Sequence, residues 1–382
     1  MSYTGTFSSW TRSFLLAGSL ALGCGNETTL YPVEQCTSDY CEKKEIPEPQ
    51  EKKPEKVCPN GNEGDSFWLL PNGTLGDMAE KCNEEQICLG GLCAKLGTFT
   101  FVSNRDGETE IYTQERVAAP IKITTSQPNE SPLSPYWCGS EILLFELMKG
   151  DSSEISRLDS NGHPQSISHS SRYNNHPSCD AAGEIAYFSS DRTGSWNIYK
   201  VGMYGGALSR LTHGPDSHLP ETLLAAFNPD ICKTGDWVVF RCDYRVDETH
   251  EVSEICKIHS DGTGLVRLTY TEHGSNDAPA CSPNGREVAF TSLRYDAELG
   301  HSNEDVYVMD IDGNNERRIT SDQESESTPA FSPDGKLIGY EKIIWIGEGR
   351  YVKDLWVTDR DGLEYLQLTN DAGKEYSINW KP

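Results

Sequence analysis

One four-part pattern recurs through residues 98–382, and it constrains the fold more than any other feature. Its clearest copy reads PAFSPDG from Pro329, then KLIGYEK, DLWVTDRDG and LEYLQLT. The copy before it reads PACSPNG, REVAFTS, DVYVMDIDG and NERRIT. Repetition at roughly 40 to 50 residues marks stacked or circular units. Each unit holds four short apolar or alternating runs separated by turn residues, which reads as all-β. We call the four strands A to D.

The B segments are TFTFVS (98–103), EILLFEL (141–147), EIAYFSS (184–190), DWVVFRC (236–242), EVAFTS (287–292) and LIGYEK (337–342). The C segments start at Glu110, Glu154, Asn197, Glu254, Asp305 and Asp354. Every strand class has six members, so the reading is a six-bladed β-propeller. The first unit enters at strand B, and the tail YSINWKP is an A strand with nothing after it. Trp380 stands where Phe331 and Trp137 stand in other copies. The tail is therefore expected to pair beside the strand that begins near Thr98. That closes the ring and removes two exposed sheet edges. Asp-Gly pairs such as Asp334-Gly335 sit between apolar runs and read as hairpin turns. They do not read as calcium loops, because the acidic residue that completes such a loop is out of place.

The repeat resembles the TolB-type propeller repeat, roughly P-x-W-S-P-D-G-x-x-I-A-F, then I-Y-x-M-D-x-D-G, then R-L-T. The match covers about three quarters of the chain. It implies the fold. It leaves function open, because one fold hosts many functions and sites decide among them.

Residues 1–24 read as an export signal: Arg12 is the only charge, and Phe14 to Gly23 is apolar but too short to span a membrane. Gly23-Cys24 resembles a lipoprotein cleavage box with Cys24 acylated. Ala21 and Leu22 depart from the usual pattern and leave ordinary secretion open. Thirteen cysteines fit an oxidised compartment, since a lipid on Cys24 leaves an even number. Six of them (Cys36, Cys41, Cys58, Cys82, Cys88 and Cys93) precede the propeller and are expected to hold a small disulfide-rich module at 58–97. Residues 25–57 form a Cys-containing, charged tether, whose EKKEIPEPQEKKPEKV cannot bury enough surface to fold. Cys242 and Cys256 end and begin neighbouring strands and are placed to bridge.

The formal charge is −26, and no Lys/Arg cluster appears. Nucleic acid is excluded as a partner. Membrane attachment is expected only through a lipid on Cys24, and the protein is expected to be a monomer.

The A–B and C–D turns of a propeller share one face, and the B–C and D–A loops share the other. On the second face the B–C segments 243–253, 293–304 and 342–353 are long and dissimilar. Binding residues concentrate on such loops. Tyr173, Tyr244, Tyr295, Trp345 and Tyr351, with Arg172, Arg294 and Arg350 beside them, are the candidate contacts, because Tyr, Trp and Arg dominate hot spots. Seven of the nine histidines map there too, among them His176 and His218. Two functions compete. One is a non-catalytic scaffold that docks an envelope protein or glycan, as the TolB resemblance implies, at the periplasmic or outer cell surface. The other is a metal-dependent polysaccharide lyase, with His176, His213 and His218 at the propeller mouth. No G-x-S-x-G nucleophile elbow occurs, so a serine hydrolase is not expected. No cofactor or catalytic residue is assigned.

Overall fold

The computed structural model describes residues 86–382 apart from 90, 117, 170–171, 214–221, 247–249, 272–273, 297–299, 348 and 372. It also describes Cys82 and five short strands nearer the N-terminus, Leu20–Leu22, Leu30–Pro32, Glu55–Val57, Ser66–Leu69 and Leu75–Glu80. Most of the leader, Cys24, most of the tether and His218 lie outside the described residues, and with them the expectations placed there.

From Thr98 onward the described chain is all-β and forms antiparallel units of four strands. Sheet 2 is Glu130–Cys138, Ile142–Lys149, Ser152–Leu158 and Pro164–Ser166. Sheet 3 is Asn174–Cys179, Ile185–Ser190, Asn197–Gly202 and Ser209–Arg210. Sheet 4 is Thr222–Ile231, Trp237–Arg245, Glu251–His259 and Val266–Arg267. Sheet 5 is Ser275–Cys281, Glu287–Asp296, His301–Asp310 and Arg317–Arg318. A single parallel bridge, Ser253 to Ser275, joins sheets 4 and 5. Sheet 6 is Ser325–Phe331, Leu337–Gly347, Arg350–Asp359 and Tyr365–Gln367. Sheet 1 takes Thr98–Ser103, Glu110–Glu115 and Ile121–Lys122 from the start of the repeat, and its fourth strand is the tail, Glu375–Trp380.

The repeated Thr or Ser after strand D has one job in every sheet. Its hydroxyl accepts the N–H of the second or fourth residue of strand C, or a later one where that strand is longer. The pairs are Ile111 to Thr124, Ile155 to Ser168, Ile198 to Thr212, Ile255 to Thr269, Val306 to Thr320 and Leu355 to Thr369. All six bonds are 2.9–3.0 Å. Strand D is too short to pair that N–H itself, and a buried donor must find an acceptor.

Apolar side chains of neighbouring sheets pack into shared cores. Val288 and Phe290 of sheet 5 meet Val239 and Ile255 of sheet 4. Phe331, Ile338 and Tyr340 of sheet 6 meet Ala289 and Val306 of sheet 5. Leu337, Leu355 and Val357 of sheet 6 meet Phe99, Phe101 and Trp380 of sheet 1. The hairpin Gln86–Leu89/Leu92–Lys95 adds Ile87, Leu89 and Ala94 to that last core. The end of the Cys-rich stretch thus shares a core with the sheets.

Gly339 lies directly beneath the tail: a Cβ there would overlap the Trp380 ring and reach the Ile378 side chain. Gly339→Ala is expected to destabilise the protein by about 1–3 kcal/mol, because a packed core absorbs an extra methyl only by shifting. Denaturant unfolding of the two proteins checks this.

Cys242 and Cys256 bridge within sheet 4, with Cα atoms 5.8 Å apart. Two further bridges cross between sheets at the ends of A strands: Cys138–Cys179 joins sheets 2 and 3, and Cys232–Cys281 joins sheets 4 and 5. Cys82 pairs with Cys93, and Cys88 is disulfide-bonded as well.

Candidate binding face and central cavity

Each A strand carries one residue with left-handed backbone: Ser134, His176, Asn228, Ala278, Thr328 and Ser377, with φ between 48° and 58°. A β-bulge sits at each of these positions. Non-glycine residues rarely adopt such φ, and each instance costs on the order of 1–3 kcal/mol. Neighbouring side chains offset the cost by accepting the bulged N–H. Asn228 N donates to Ser189 Oγ at 2.9 Å, Thr328 N to Thr291 Oγ1 at 3.0 Å and Ser377 N to Glu341 Oε1 at 2.7 Å. His176 N donates to the Glu146 carboxyl. Burial pushes that carboxyl up to about 7.

The six bulges line a central cavity of about 650 Å³. The five prolines that follow them, at 135, 177, 229, 279 and 329, line it too. Towards the B–C end its wall is charged. Arg241 holds Asp243 with Nε and Nη2 at 2.8 and 3.1 Å, and Asp277 with Nη1 at 3.0 Å. Asn228 Nδ2 donates to Asp277 Oδ1 at 2.7 Å, and Lys353 pairs with Glu341. Glu304 is raised above the usual carboxylate range, mainly by burial and further by Asp277 and Glu341. Towards the A–B end, Tyr136 Oη donates to Asp230 Oδ1 at 2.7 Å, and Cys281 N donates to Asp230 Oδ2 at 2.7 Å. Burial raises both of these groups.

The long B–C segments are not irregular loops. They are hairpins that extend strands B and C past the sheet: Trp237–Arg245 with Glu251–His259, Glu287–Asp296 with His301–Asp310, and Leu337–Gly347 with Arg350–Asp359. Their Val, Ile, Tyr and Trp residues are good strand formers, so the ladder continues.

Trp345 and Tyr351 are cross-strand partners near one hairpin tip, with ring centroids 5.4 Å apart. Trp345 is 64% exposed and Ile346 beside it 52%. Lys374 lies 3.7 Å from the Tyr351 ring centroid, and its hydrogen bond and charge lower that phenol. Tyr295 is 66% exposed on the next hairpin, and Arg350 is exposed as well. Tyr173 is half-buried and packs against Trp196 at 6.5 Å, while the exposed Arg172 lies 3.8 Å from Asp191.

Two expected contacts are corrected. Tyr244 is only 7% exposed: it packs with Val252 and Cys256 in the core between sheets 3 and 4, because its position in the alternation points inward. His176 is not on a loop. It is the exposed, bulged residue of strand Asn174–Cys179 and lines the cavity. Among the described residues, no group of three or more His, Cys, Asp or Glu is placed to hold a metal ion. The cavity-lining charges Arg241, Asp277 and Glu304, with Glu341 acting on Glu304 from nearby, belong to no sequence motif. The one signal pointing to Asp277 was its place just before a residue followed by proline.

These features define a β-propeller, and its fold is similar to that of solved TolB structures. TolB from Acinetobacter baumannii superposes with a TM-score of 0.61 over 86% of this chain and 82% of that one, at 16% identity. A curated TolB homolog of Chlorobium luteolum is 28% identical over 173 residues, which is 45% of this chain and 35% of that protein. The protein Atu1656 of Agrobacterium fabrum is 29% identical over 156 residues, 39% of this chain and 48% of its own. The chain thus spans less than half the length of the curated relatives it matches. No family model matches the sequence.

Proposed function

We propose that the protein is a non-catalytic binding scaffold at the cell envelope, which docks a protein or glycan partner through the face bearing the B–C hairpins. The observation that carries this reading is the exposed Trp345–Tyr351 pair on a hairpin that rises beyond its sheet. An exposed aromatic pair on a rigid support gains contact area at low entropic cost. The TolB likeness, the apolar leader and the paired cysteines support an exported location, with a lipid on Cys24 as the anchor.

In this reading the six sheets are blades of one ring fastened by the tail. Three repeated features support it. Consecutive A strands contact one another, and the tail strand contacts both Glu130–Cys138 and Ser325–Phe331. The tail carries the sixth bulge, at Ser377. The core shared by sheets 6 and 1 is of the same kind as the other inter-sheet cores.

The test is partner capture from envelope extract and on a glycan array. Trp345→Ala Tyr351→Ala is expected to weaken capture at least about tenfold, since central aromatic anchors each contribute about 2 kcal/mol or more. Undiminished capture by the double variant would overturn the face assignment.

A further inference from the structure

Two buried carboxyls stand where a neighbouring junction uses an amide. In each case the residue lies two places before the bulge of an A strand. At the junction of sheets 4 and 5 that residue is Asn276. Its Nδ2 donates to Glu254 Oε2 at 2.7 Å, and its Oδ1 accepts from Ser292 at 2.6 Å. Glu254 precedes the residue whose N–H meets the repeated threonine. At the next two junctions Glu326 and Glu375 replace the asparagine, and Asp305 and Asp354 replace the glutamate. A carboxyl can donate in place of an amide only when it is protonated.

Both glutamates are fully enclosed. Neither oxygen of Glu326 has a hydrogen-bond partner when the carboxyl is taken as ionised, and the same holds for Glu375 Oε2 and Asp354 Oδ1. Glu326 faces Asp322 from the connection before its strand, Asp305 from sheet 5, and Lys342 and Tyr340 from the adjacent strand, while Glu324 lies 3.8 Å from Lys342. Lys342 ion-pairs with Asp322 and lies 3.5 Å from Glu326. Glu375 faces Ser103 and Arg105 of sheet 1, Asp354 of sheet 6 and Asp371 of the connection before it. In both clusters acids outnumber bases.

Disulfides tie sheet 2 to sheet 3 and sheet 4 to sheet 5. Residues 325–367 contain no cysteine. We propose that sheet 6 is fastened by protons: Glu375 donates one to Asp354 across the junction of sheets 1 and 6, Glu326 donates one to Asp322 in the connection that leads from sheet 5, and loss of these protons frees sheet 6 before the others. Asp322 and Asp354 are the acceptors.

Burial is the main cause holding Glu326 up to about 9 and Glu375 up to about 7, from an ordinary 4.5. A carboxyl raised in this way stabilises the fold fully below its unfolded value, and the contribution is lost as pH rises through the folded value. The fastening therefore weakens from neutral to alkaline pH, Glu375 first.

Hydrogen–deuterium exchange of the oxidised full chain, corrected for base-catalysed intrinsic rates, tests this. Between about pH 6 and about pH 9.5, peptides of 325–367 are expected to lose at least about tenfold in protection relative to those of 222–267. Equal loss in all sheets, or none, would overturn the proposal. Glu326→Gln Glu375→Gln supplies amide donors and is expected to keep its protection at the upper pH; loss like that of the unaltered protein would also overturn it. Should the double variant not fold, infrared difference spectra of the unaltered protein against the single variants Glu326→Gln and Glu375→Gln decide. Protonated-carboxyl absorption at the lower pH should be weaker in each variant than in the unaltered protein; spectra unchanged by both substitutions count against the proposal.

Discussion

Removing residues 375–382 is expected to abolish the cooperative fold. The tail is the fourth strand of sheet 1, paired with Thr98–Ser103 through Glu375–Ser103, Tyr376–Val102, Asn379–Thr100 and Trp380–Phe99. Ile378 and Trp380 are each 4% exposed. Trp380 Nε1 donates to Leu96 O at 2.6 Å, and its ring sits 6.4 Å from Phe99. Trp380→Ala alone is expected to cost about 3–5 kcal/mol. Truncation adds the loss of Ile378, the strand ladder and the acceptor that Asn379 offers to Trp137 N at 2.9 Å. The sum rivals the roughly 5–15 kcal/mol that holds a typical domain folded. Truncation also bares the edge of Thr98–Ser103, an invitation to association. Thermal unfolding with size-exclusion chromatography reads both effects. A truncated chain that melts cooperatively as a monomer within a few degrees of the full one would contradict the account.

Reduction is the second large effect. Cys138–Cys179 and Cys232–Cys281 close 41- and 49-residue separations, and Cys242–Cys256 closes 14. Loop-closure entropy assigns about 3 kcal/mol to the shortest and about 4 kcal/mol to each of the others. The inter-sheet bridges hold neighbouring A strands against each other, which the backbone ladders within sheets 2 and 3 do not do. Cys138→Ala Cys179→Ala is thus expected to lose more stability than Cys242→Ala Cys256→Ala, whose two strands are already joined by a nine-pair ladder. Denaturant midpoints of the two variants, each under oxidising conditions, decide the order. Full reduction should lower the midpoint further than either.

Much of the architecture is legible in the sequence because its determinants are local. Alternating apolar runs, Asp-Gly and Pro-Asn-Gly turns and the closing threonine specify strands that pair with their neighbours in the chain. The incomplete first copy and the orphan YSINWKP point to pairing of the tail with Thr98–Ser103. Cys242 and Cys256 could be matched because they lie across one hairpin. The exposure of Tyr295, Trp345 and Arg350 was legible too, since they stand near hairpin tips where little can cover them.

Only the tertiary structure decided the rest. It turned the expected B–C loops into extended hairpins and buried Tyr244, because strand alternation continued past the point where the repeat loses its consensus. It placed His176 on a bulge facing a cavity, which the bulged residues of all six A strands line. It paired Cys138 with Cys179 and Cys232 with Cys281 across sheets, and set Glu326 and Glu375 against carboxyls from outside their own strands. A repeat pattern encodes which strands are hydrogen-bonded neighbours within one sheet. Which side chains meet between sheets depends on how the sheets pack, and disulfide partners 41 and 49 positions apart carry no local trace of that contact.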